Sequence, residues 1–360
     1  MRSPMIRPNA AASRVLFFVL TFVLVSFATV ASACKGSSTA SANDTQQQPA
    51  SVQPTWQPNA AELDPPANAP AAPKVDGKRA LQLTSDFVAI GPRGLGSAGH
   101  KKAEDFITSK LRDAGATVDY DQFDAQTAAG KFPVKNIIGK IPGKKDGIIV
   151  IAGHYETNLP TSDDLKAATE AGKVFVGAND GGSTTGLMLE LASVLNKQKG
   201  SAAAIDGYSV WFVFTDAEEA TVKWSDSDSV YGSKHLAQKW QQDGTNRKVK
   251  ALLLLDMIGD KDLDVLREEN STPWLLDVVY RASQRLGSQS HFFRQSGGVE
   301  DDHKPFAKIG IPVADIIDLD YGFNNVYHHT SEDTMDKLSA NSLQIVGDVV
   351  LESIRALNTH

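Results

Sequence analysis

Apolar and polar positions follow two different periods along the chain from about residue 75 onwards. Apolar runs of strand length are separated by segments in which apolar residues recur every three or four positions, which is typical of one face of a helix. The most continuous run, at residues 147–155, predicts a strand that is buried on both faces. The predicted strands are TVDYDQF (117–123), VKNIIGKI (134–141), GIIVIAGHY (147–155), YSVWFVFTD (208–216), KALLLLDMIGD (250–260) and IPVADIID (311–318).

The segments with the helical period have capping signals at several of their ends. Ser97 is the predicted N-cap of the first helix, and Gly115 is its predicted C-cap. Ser271 or Thr272 is the predicted cap of the fourth, with Pro273 in its first turn. The predicted helices span residues 96–115, 181–198, 231–242, 271–287 and about 339–357.

Strands and helices alternate along the chain, and the central strands are apolar throughout. This order predicts an α/β fold, in which a mostly parallel, mixed central sheet has helices on both faces. No internal repeat or linker interrupts the region. We therefore predict a single globular domain from residue 76 to residue 360.

The first 33 residues have the composition of an export signal. Three arginines precede an apolar run at residues 15–30, and small residues follow at Ala31–Ala33. A membrane anchor is the alternative, but the run is short for a membrane span and is closed by small residues. Residues 1–33 are therefore a predicted signal peptide.

Cys34, the one cysteine of the chain, follows the predicted cleavage site directly. It resembles the acylated cysteine of a bacterial lipobox, although Ala31 stands where that motif usually has leucine. The rest of residues 34–75 is rich in small and polar residues, which predicts a flexible linker. We expect a membrane-anchored lipoprotein that faces the periplasm or the cell exterior, with simple cleavage after Ala33 to a soluble exported protein as the alternative.

The overall composition is that of a globular protein, with 41% hydrophobic and 22% charged residues. The formal charge of -7 becomes about -10 without the first 33 residues, since these contain three arginines and no acidic residue. An acidic chain without a basic patch is a poor nucleic-acid binder, so no nucleic acid is expected as a partner.

Potential metal ligands and acid–base groups fall where the predicted apolar strands end. In open α/β sheets the ligand crevice lies at this carboxyl edge of the strands. A glycine-rich turn and the segment VEDDHKPF contribute further acidic groups. The residues at these positions are His154, Asp180, Glu218, Glu219, Asp256, Asp301, Asp302, His303, His328 and His329.

Each of these residues alone has a purely structural explanation. Asp180 could be a turn residue or an N-cap, and Asp302 could be an N-cap. Glu218 and Glu219 could stabilise a helix N-terminus, and His154 could be a hydrogen-bonded core histidine. A fold has little reason, however, to gather two histidines and four or five acids at one sheet edge without a cation. Oxygen and nitrogen ligands without a thiolate suit zinc.

Several segments resemble a known family. HYETN (154–158), ANDGGSTTGLMLELA (178–192), DAEEA (216–220) and HHTSEDT (328–334) are similar to the M28 zinc aminopeptidases. DAEEATVKWSDSDSVYGSKHLAQKW (216–240), LLLLDMIGD (252–260) and VEDDHKPFAKIGIPV (299–313) resemble the glutaminyl-peptide cyclotransferase branch of that family. The similarity covers nearly all of residues 78–357, with the motifs in the same order.

The resemblance implies a zinc aminopeptidase-like fold and a transferase activity. Such an enzyme cyclises the N-terminal glutaminyl residue of a peptide or protein to pyroglutamate and releases ammonia. The implied zinc ligands are Asp180, Glu219 and His329, the implied catalytic residues are Glu218 as general acid/base with Asp256 and Asp301, and the implied pocket residues are Trp224 and His328.

The cyclisation chemistry requires only one zinc ion, because the nucleophile is the substrate's own amine and no metal-bound hydroxide is needed. Two positions depart from the family pattern. His328 stands where the cyclases usually have tryptophan, and Glu156 stands where they usually have aspartate. We expect the first departure to change substrate preference.

Two other functions stay open on the sequence alone. A two-zinc aminopeptidase would use His154 and Asp256 as ligands of the second metal, and both residues are present. The double acid at Asp301 and the tryptophan segment around Trp224 favour the cyclase instead. A non-catalytic binding domain of the same fold is less favoured, because the implied ligands and the base Glu218 are all retained.

Overall fold

The structure of the protein, a computed structural model, describes residues 58–165, 172–197 and 207–359. The predicted signal peptide, Cys34 and most of the predicted linker lie outside these residues. The helices are α1 (Gly77–Val88), α2 (Ala98–Asp113), α3 (Thr184–Lys197), α4 (Tyr231–Asp243), α5 (Pro273–Leu286), α6 (His303–Lys308) and α7 (Ala340–Leu357). The strands are β1 (Thr117–Thr127), β2 (Gly130–Ile141), β3 (Lys145–His154), β4 (Tyr208–Thr215), β5 (Val249–Asp256), β6 (Val265–Glu268), β7 (Phe292–Gly297) and β8 (Val313–Ile317).

Six strands form the central sheet in the order β1-β2-β4-β3-β5-β8. The pairs β1–β2 and β2–β4 are antiparallel, whereas β4–β3, β3–β5 and β5–β8 are parallel. The predicted mixed, mostly parallel sheet is therefore confirmed. The carboxyl ends of β3, β4, β5 and β8 lie at one edge, because these four strands run in the same direction.

Both faces of the sheet are covered, and β3 shows why its sequence is apolar at every position. Ile149 and Ile151 pack into one hydrophobic cluster with Leu187 of α3. Val150, between them, packs into a second cluster with Leu236 of α4. Successive side chains of a strand point to opposite faces, so a strand between two helical layers needs apolar residues throughout.

The predicted N-cap of α2 is confirmed, whereas its C-cap is Ala114, directly before the predicted Gly115. The hydroxyl of Ser97 accepts a hydrogen bond of 3.0 Å from the main-chain N–H three residues later. Ser271 instead donates its hydroxyl to Glu268 at 2.8 Å, and the Thr272 hydroxyl accepts from the N–H of Val313 at 3.0 Å. Thr272 is the N-cap residue of α5 and Pro273 lies in its first turn, as predicted, but no side chain makes a capping hydrogen bond, because these hydroxyls bind β6 and the amino end of β8.

The folded region begins earlier than residue 76. Leu63 is buried in the main hydrophobic cluster, and Asp64 accepts a hydrogen bond of 2.9 Å from Arg281 of α5. The end of the predicted linker thus packs against the domain, at least from residue 60 onwards. Apart from a few apolar residues, residues 60–75 have the composition of a linker, so their packing against the domain could not be predicted from the sequence.

Several elements, including the short helix α6, are absent from the predicted strands and helices. Helix α1 precedes the first predicted element, and β6 and β7 form a separate two-stranded parallel sheet. Both strands are short and partly exposed, so they lack a long apolar run. Within the described residues, none of the helices is long and apolar enough to span a bilayer.

Candidate active site

The strand ends bring the predicted polar residues together at the carboxyl edge of the sheet. His154 is the last residue of β3, and Asp256 is the last residue of β5. Glu218 and Glu219 follow β4, and Asp180 lies in the turn that leads into α3. The parallel order of the strands therefore produces the cluster that their sequence positions predict.

Asp180 and Glu219 each place a carboxylate oxygen close to the imidazole of His329. The Nε2 atom of His329 lies 3.3 Å from Asp180 Oδ2 and 3.2 Å from Glu219 Oε1. Both of these carboxylate oxygens are buried and have no hydrogen-bond partner in the described part of the chain. Ligands about 2.0–2.2 Å from a tetrahedral zinc ion lie about 3.3–3.6 Å from one another. The distances from His329 to the two carboxylates therefore match those between ligands of one zinc ion.

His328 lies farther from the carboxylate of Asp180 than His329 does, although ligand atoms of the two histidines and Asp180 are all within 4.8 Å of one another. Its ring packs on that of His329 with 3.8 Å between the centroids, but its Nε2 atom is 4.0 Å from Asp180 Oδ2. Burial, and next the proximity of His329, lower the pKa of His328 to about 4. His328 is thus a neutral side chain that lines the pocket.

The turn that carries Asp180 has a shape that requires glycine. Gly181 has a φ angle of +74°, and a Cβ atom there would lie 2.9 Å from the carbonyl oxygen of Glu156. The carboxylate of Asp333 accepts hydrogen bonds from the N–H groups of Asn179 at 2.8 Å and Asp180 at 3.2 Å. Asp333 lies four residues after His329, so it connects the turn of Asp180 with the loop of the histidine.

Arg93 also holds the turn of Asp180 in place. This fully buried guanidinium donates to the main-chain carbonyl oxygens of Tyr155 at 2.9 Å, Val176 at 2.7 Å and Gly177 at 2.9 Å. Burial lowers the pKa of Arg93 to about 10, although the nearby Asp180 opposes this shift. Arg93 thereby ties the end of β3 to the loop before α3.

The adjacent acids Glu218 and Glu219 are held at their main chain and point in different directions. One oxygen of the buried Glu156 accepts hydrogen bonds from both of their N–H groups. Asn158 donates to Glu219 Oε2 at 2.6 Å, which leaves Oε1 facing His329. The carboxylate of Glu218 lies instead in a group with His154 and Glu156, whose polar atoms are within 4.8 Å of one another.

His154 forms a second potential metal-binding set with two acids. Its Nε2 atom lies 3.0 Å from Asp180 Oδ1 and 3.3 Å from Asp256 Oδ1. Asp180 therefore reaches His154 with one oxygen and His329 with the other. This arrangement matches the second-metal candidates inferred from the sequence, and it also allows His154 to be a hydrogen-bonded cation between two carboxylates.

Several acids near this centre have raised pKa values, among them Glu218, Asp256 and Asp301. Burial, followed by the charge of Glu219, raises the pKa of Glu218 well above its usual value. Burial and the charge of Asp256 do the same for Asp301, and burial also raises the pKa of Asp256. Carboxyl groups whose pKa values are shifted towards neutrality are suited to proton transfer.

Behind Asp301 lies a fully buried cluster of titratable groups. His303 Nε2 is 3.2 Å from Glu268 Oε2, and His303 Nδ1 is 3.3 Å from Asp315 Oδ2. Ligand atoms of Asp301, His303 and Asp315 all lie within 4.8 Å of one another. Asp302 occupies the N-cap position of α6 without a capping bond, because its side chain accepts from Thr215 instead.

A cavity of about 280 Å³, at the small end of the range for ligand pockets, is lined by Asp180, Glu218, Glu219, Asp256, Asp301, His328 and His329. Trp224 and His328 both lie in its wall, as the sequence-based prediction expects. The acids and histidines of the site form its polar part, and its apolar part consists of Trp224, Met257, Val299, Ile317 and Leu319.

The groups that position the site are not among the residues predicted from the sequence. They are Arg93, Asn158 and Asp333, together with Glu156, which the sequence marks only as a departure from the family pattern. Most of their hydrogen bonds go to main-chain atoms far away in sequence, so no spacing reveals them. The one signal is that Glu156, Asn158 and Asp333 lie within the segments that carry the family resemblance.

Comparisons with known proteins agree with this geometry. Residues 136–354 match peptidase family M28. A crystal structure of Acidobacteriales bacterium glutaminyl cyclase is 50% identical, with a TM-score of 0.74, and the match covers 82% of this chain and 98% of that one. Glutaminyl-peptide cyclotransferase from Boiga irregularis is 31% identical over 71% of this chain and 74% of its own length. A Zn-dependent exopeptidase from Parabacteroides distasonis is 27% identical, with a TM-score of 0.69, over 79% of this chain and 99% of its own.

Proposed function

This chain belongs to peptidase family M28, and from that premise we propose that it is a zinc-dependent glutaminyl-peptide cyclotransferase. It cyclises the N-terminal glutaminyl residue of a peptide or protein to pyroglutamate and releases ammonia. The proposal rests mainly on the positions of two adjacent side chains, Glu218 and Glu219, whose carboxylates point in different directions. Both line the cavity, but Glu219 belongs to the set of three potential zinc ligands, whereas the carboxylate of Glu218 lies beside His154 and Glu156.

Asp180, Glu219 and His329 would hold the zinc ion. Their unpartnered oxygens and their separations from the imidazole support this assignment. When bound, the ion polarises the side-chain amide carbonyl of the substrate as a Lewis acid. We place a single zinc ion here, because cyclisation needs no metal-bound hydroxide.

Glu218 moves the protons of the reaction. Its carboxylate takes a proton from the α-amino group as the amine nitrogen forms a bond with the amide carbon. The carbon–nitrogen bond of the side-chain amide then breaks, and Glu218 returns the proton to the nitrogen that leaves as ammonia. Such proton transfer contributes typically about 10²- to 10⁴-fold in rate.

Asp256 and Asp301 support Glu218 from the floor of the cavity. Burial, and next the charge of Asp256, raise the pKa of Asp301, and the charge of Asp301 contributes to the raised pKa of Glu218. The apolar walls, including Trp224 and Ile317, limit the access of water to the reacting residue.

A second candidate function is aminopeptidase activity with two metal ions. It is favoured by the set of His154, Asp180 and Asp256, whose distances also fit a cation. The two functions give different products from the same peptide. Cyclisation leaves the chain length unchanged and releases ammonia, whereas hydrolysis releases the first amino acid.

The test is to incubate the zinc-loaded protein with an H-Gln peptide and with an amino-acid anilide. We expect a pyroglutamyl peptide and one equivalent of ammonia from the peptide, and no cleavage of the anilide. Free glutamine together with a shortened peptide would show the aminopeptidase instead. An unchanged peptide and an unchanged anilide would indicate a binding domain.

We further propose that the protein is exported and anchored through a lipid on Cys34. The basic start, the apolar run at residues 15–30 and the small residues before Cys34 support this proposal. In a bacterial host, labelled fatty acid should enter the unaltered protein but not a Cys34→Ala variant. Equal labelling of the two proteins would remove Cys34 from this role.

A further inference from the structure

Among the acidic side chains of the active-site cavity, one has no part in the proposed chemistry. The proposed zinc ligands and the network around Glu218 account for most of these acids. Glu300 lies in an ion pair with Lys304. The acid that is left is Asp164, which lies in a short turn after β3 and lines the same cavity.

The carboxylate of Asp164 is partly enclosed without a protein partner. Its Oδ2 atom is buried, and no donor in the described part of the chain reaches it. A carboxylate oxygen that loses water without gaining a donor costs free energy. A donor on a bound substrate would remove that cost.

Asp164 and Trp224 belong to the same wall of the cavity. The N–H of Asp163 donates to the carbonyl oxygen of Val222 at 2.7 Å, so the turn of Asp164 is bonded to the segment of Trp224. Asp228 fixes that segment by accepting from the N–H groups of Thr221, Val222 and Lys223 at 2.9–3.2 Å. The carboxylate and the indole are thus carried by two loops that are held together.

This wall forms the outer part of the cavity. Asp164 and Trp224 are partly exposed, whereas Glu218 is only 6% exposed and lies deeper. The glutaminyl residue must reach the deep part to react, so the outer wall faces the residue that follows it. The α-amino group is not the partner of Asp164, because a carboxylate beside it would favour its protonated, unreactive form.

A carboxylate beside an aromatic ring recognises an ammonium or guanidinium group through an ion pair and a cation–π contact. We infer that Asp164 and Trp224 select peptides in which lysine or arginine directly follows the N-terminal glutamine. This inference rests on the proposed function and assigns Asp164 as a specificity-determining residue.

The test compares kcat/KM, from ammonia release, for the peptides H-Gln-Lys-Ala, H-Gln-Ala-Ala and H-Gln-Glu-Ala. We expect the unaltered protein to prefer the lysyl peptide and to turn over the glutamyl peptide slowest. Asp164→Asn should lower the ratio of kcat/KM for the lysyl over the alanyl peptide by about tenfold. Asp164→Lys should make the glutamyl peptide a better substrate than the lysyl peptide.

The matched control is Asp226→Asn, which removes an exposed charge two residues from Trp224 without altering the cavity lining. The lysyl-to-alanyl ratio should be unchanged in this variant. An unaltered ratio in Asp164→Asn, or an equal fall in both variants, would overturn the inference. Equal rates with all three peptides in the unaltered protein would overturn it while leaving the proposed function intact. Ammonia release from none of them would overturn both.

Discussion

Glu156 Oε1 lies 2.6 Å from the main-chain nitrogen of Glu218 and accepts its hydrogen bond. The same oxygen accepts a second hydrogen bond of 3.0 Å from the N–H of Glu219. One buried carboxylate therefore fixes the main chain of both Glu218, the proposed proton-transfer group, and Glu219, the proposed zinc ligand. Ala217, just before them, has a φ angle of +55°, so the chain is held in a conformation that non-glycine residues rarely adopt.

Glu156→Ala should lower kcat/KM for an H-Gln peptide by about 100-fold, because misplacement of catalytic groups by about 1 Å has that effect. Glu156→Gln keeps the accepting oxygen and should retain most of the activity. Steady-state kinetics of the two variants check this prediction. Equal losses in both would show that the charge of Glu156, and not its hydrogen bonds, is what matters.

Glu218→Gln and Glu219→Gln should have different effects although the residues are adjacent. Glu218→Gln should bind zinc as the unaltered protein does and lose about 10²- to 10⁴-fold in kcat, since it lacks the proton acceptor. Glu219→Gln should lose zinc affinity. Metal analysis after dialysis, together with kcat at saturating zinc, separates the two effects. Turnover retained in Glu218→Gln would remove this residue from its proposed role.

The two neighbouring histidines provide a matched pair for the metal site. His329→Ala should lose zinc after dialysis, because its Nε2 atom is 3.3 Å or less from both proposed carboxylate ligands. His328→Ala should keep the zinc and change KM, since His328 lines the cavity. Zinc loss in the His328 variant alone would reverse the assignment.

Asn158→Ala should weaken zinc binding without removing a ligand. The Nδ2 group of Asn158 holds Glu219 Oε2 at 2.6 Å, and loss of such an outer contact typically lowers metal affinity by about 10- to 100-fold. Competition with a fluorescent chelator measures the change. An affinity equal to that of the unaltered protein would show that Glu219 is oriented without Asn158.

The buried Glu268 gives the fold a defined pH dependence. Burial alone would raise its pKa, but the contact with His303 and the main-chain N–H groups of Val299 and Asn270 lower it to about 2. Since the folded pKa is below the unfolded one, this group contributes stability above about pH 4.5, and the contribution is lost as the pH falls through 2. The shift corresponds to an unfolding free energy on the order of 3 kcal/mol.

Glu268→Gln should therefore destabilise the protein near neutral pH, and the difference from the unaltered protein should be about half as large at pH 3. Urea unfolding at both pH values measures it. Glu269→Gln is the control, because its side chain is exposed and, among the described residues, accepts a hydrogen bond only from Ser296. A difference that is the same at both pH values would contradict the lowered pKa of Glu268.

The sheet could be predicted because its strands are buried on both faces. Runs such as Leu252–Leu255 contain no polar residue. Because such strands alternate with helices along the chain, few sheet topologies other than the observed one are expected. Strands β6 and β7 and the packing of Leu63 could not be predicted, since short, half-exposed segments lack a period. Ser271 and Thr272 are residue types that commonly cap helices, but their hydroxyls form hydrogen bonds with Glu268 and Val313 instead.

The side chains of the candidate site could be located because parallel strands end at the same edge. His154, Glu219 and Asp256 are all placed by that rule. Arg93 and Asp333 follow no such rule, because they act on main-chain atoms of distant segments. Which of His328 and His329 reaches the carboxylates depends on the loop conformation, in which His329 has a φ angle of +52°.

The central claim is that one zinc ion held by Asp180, Glu219 and His329 supports cyclisation. Its most direct test is to titrate the metal-free protein with zinc while measuring ammonia release from an H-Gln peptide. The account predicts that activity rises linearly and reaches its maximum at one equivalent of zinc per chain. Activity that needs two equivalents, or that is complete without added zinc, would contradict it.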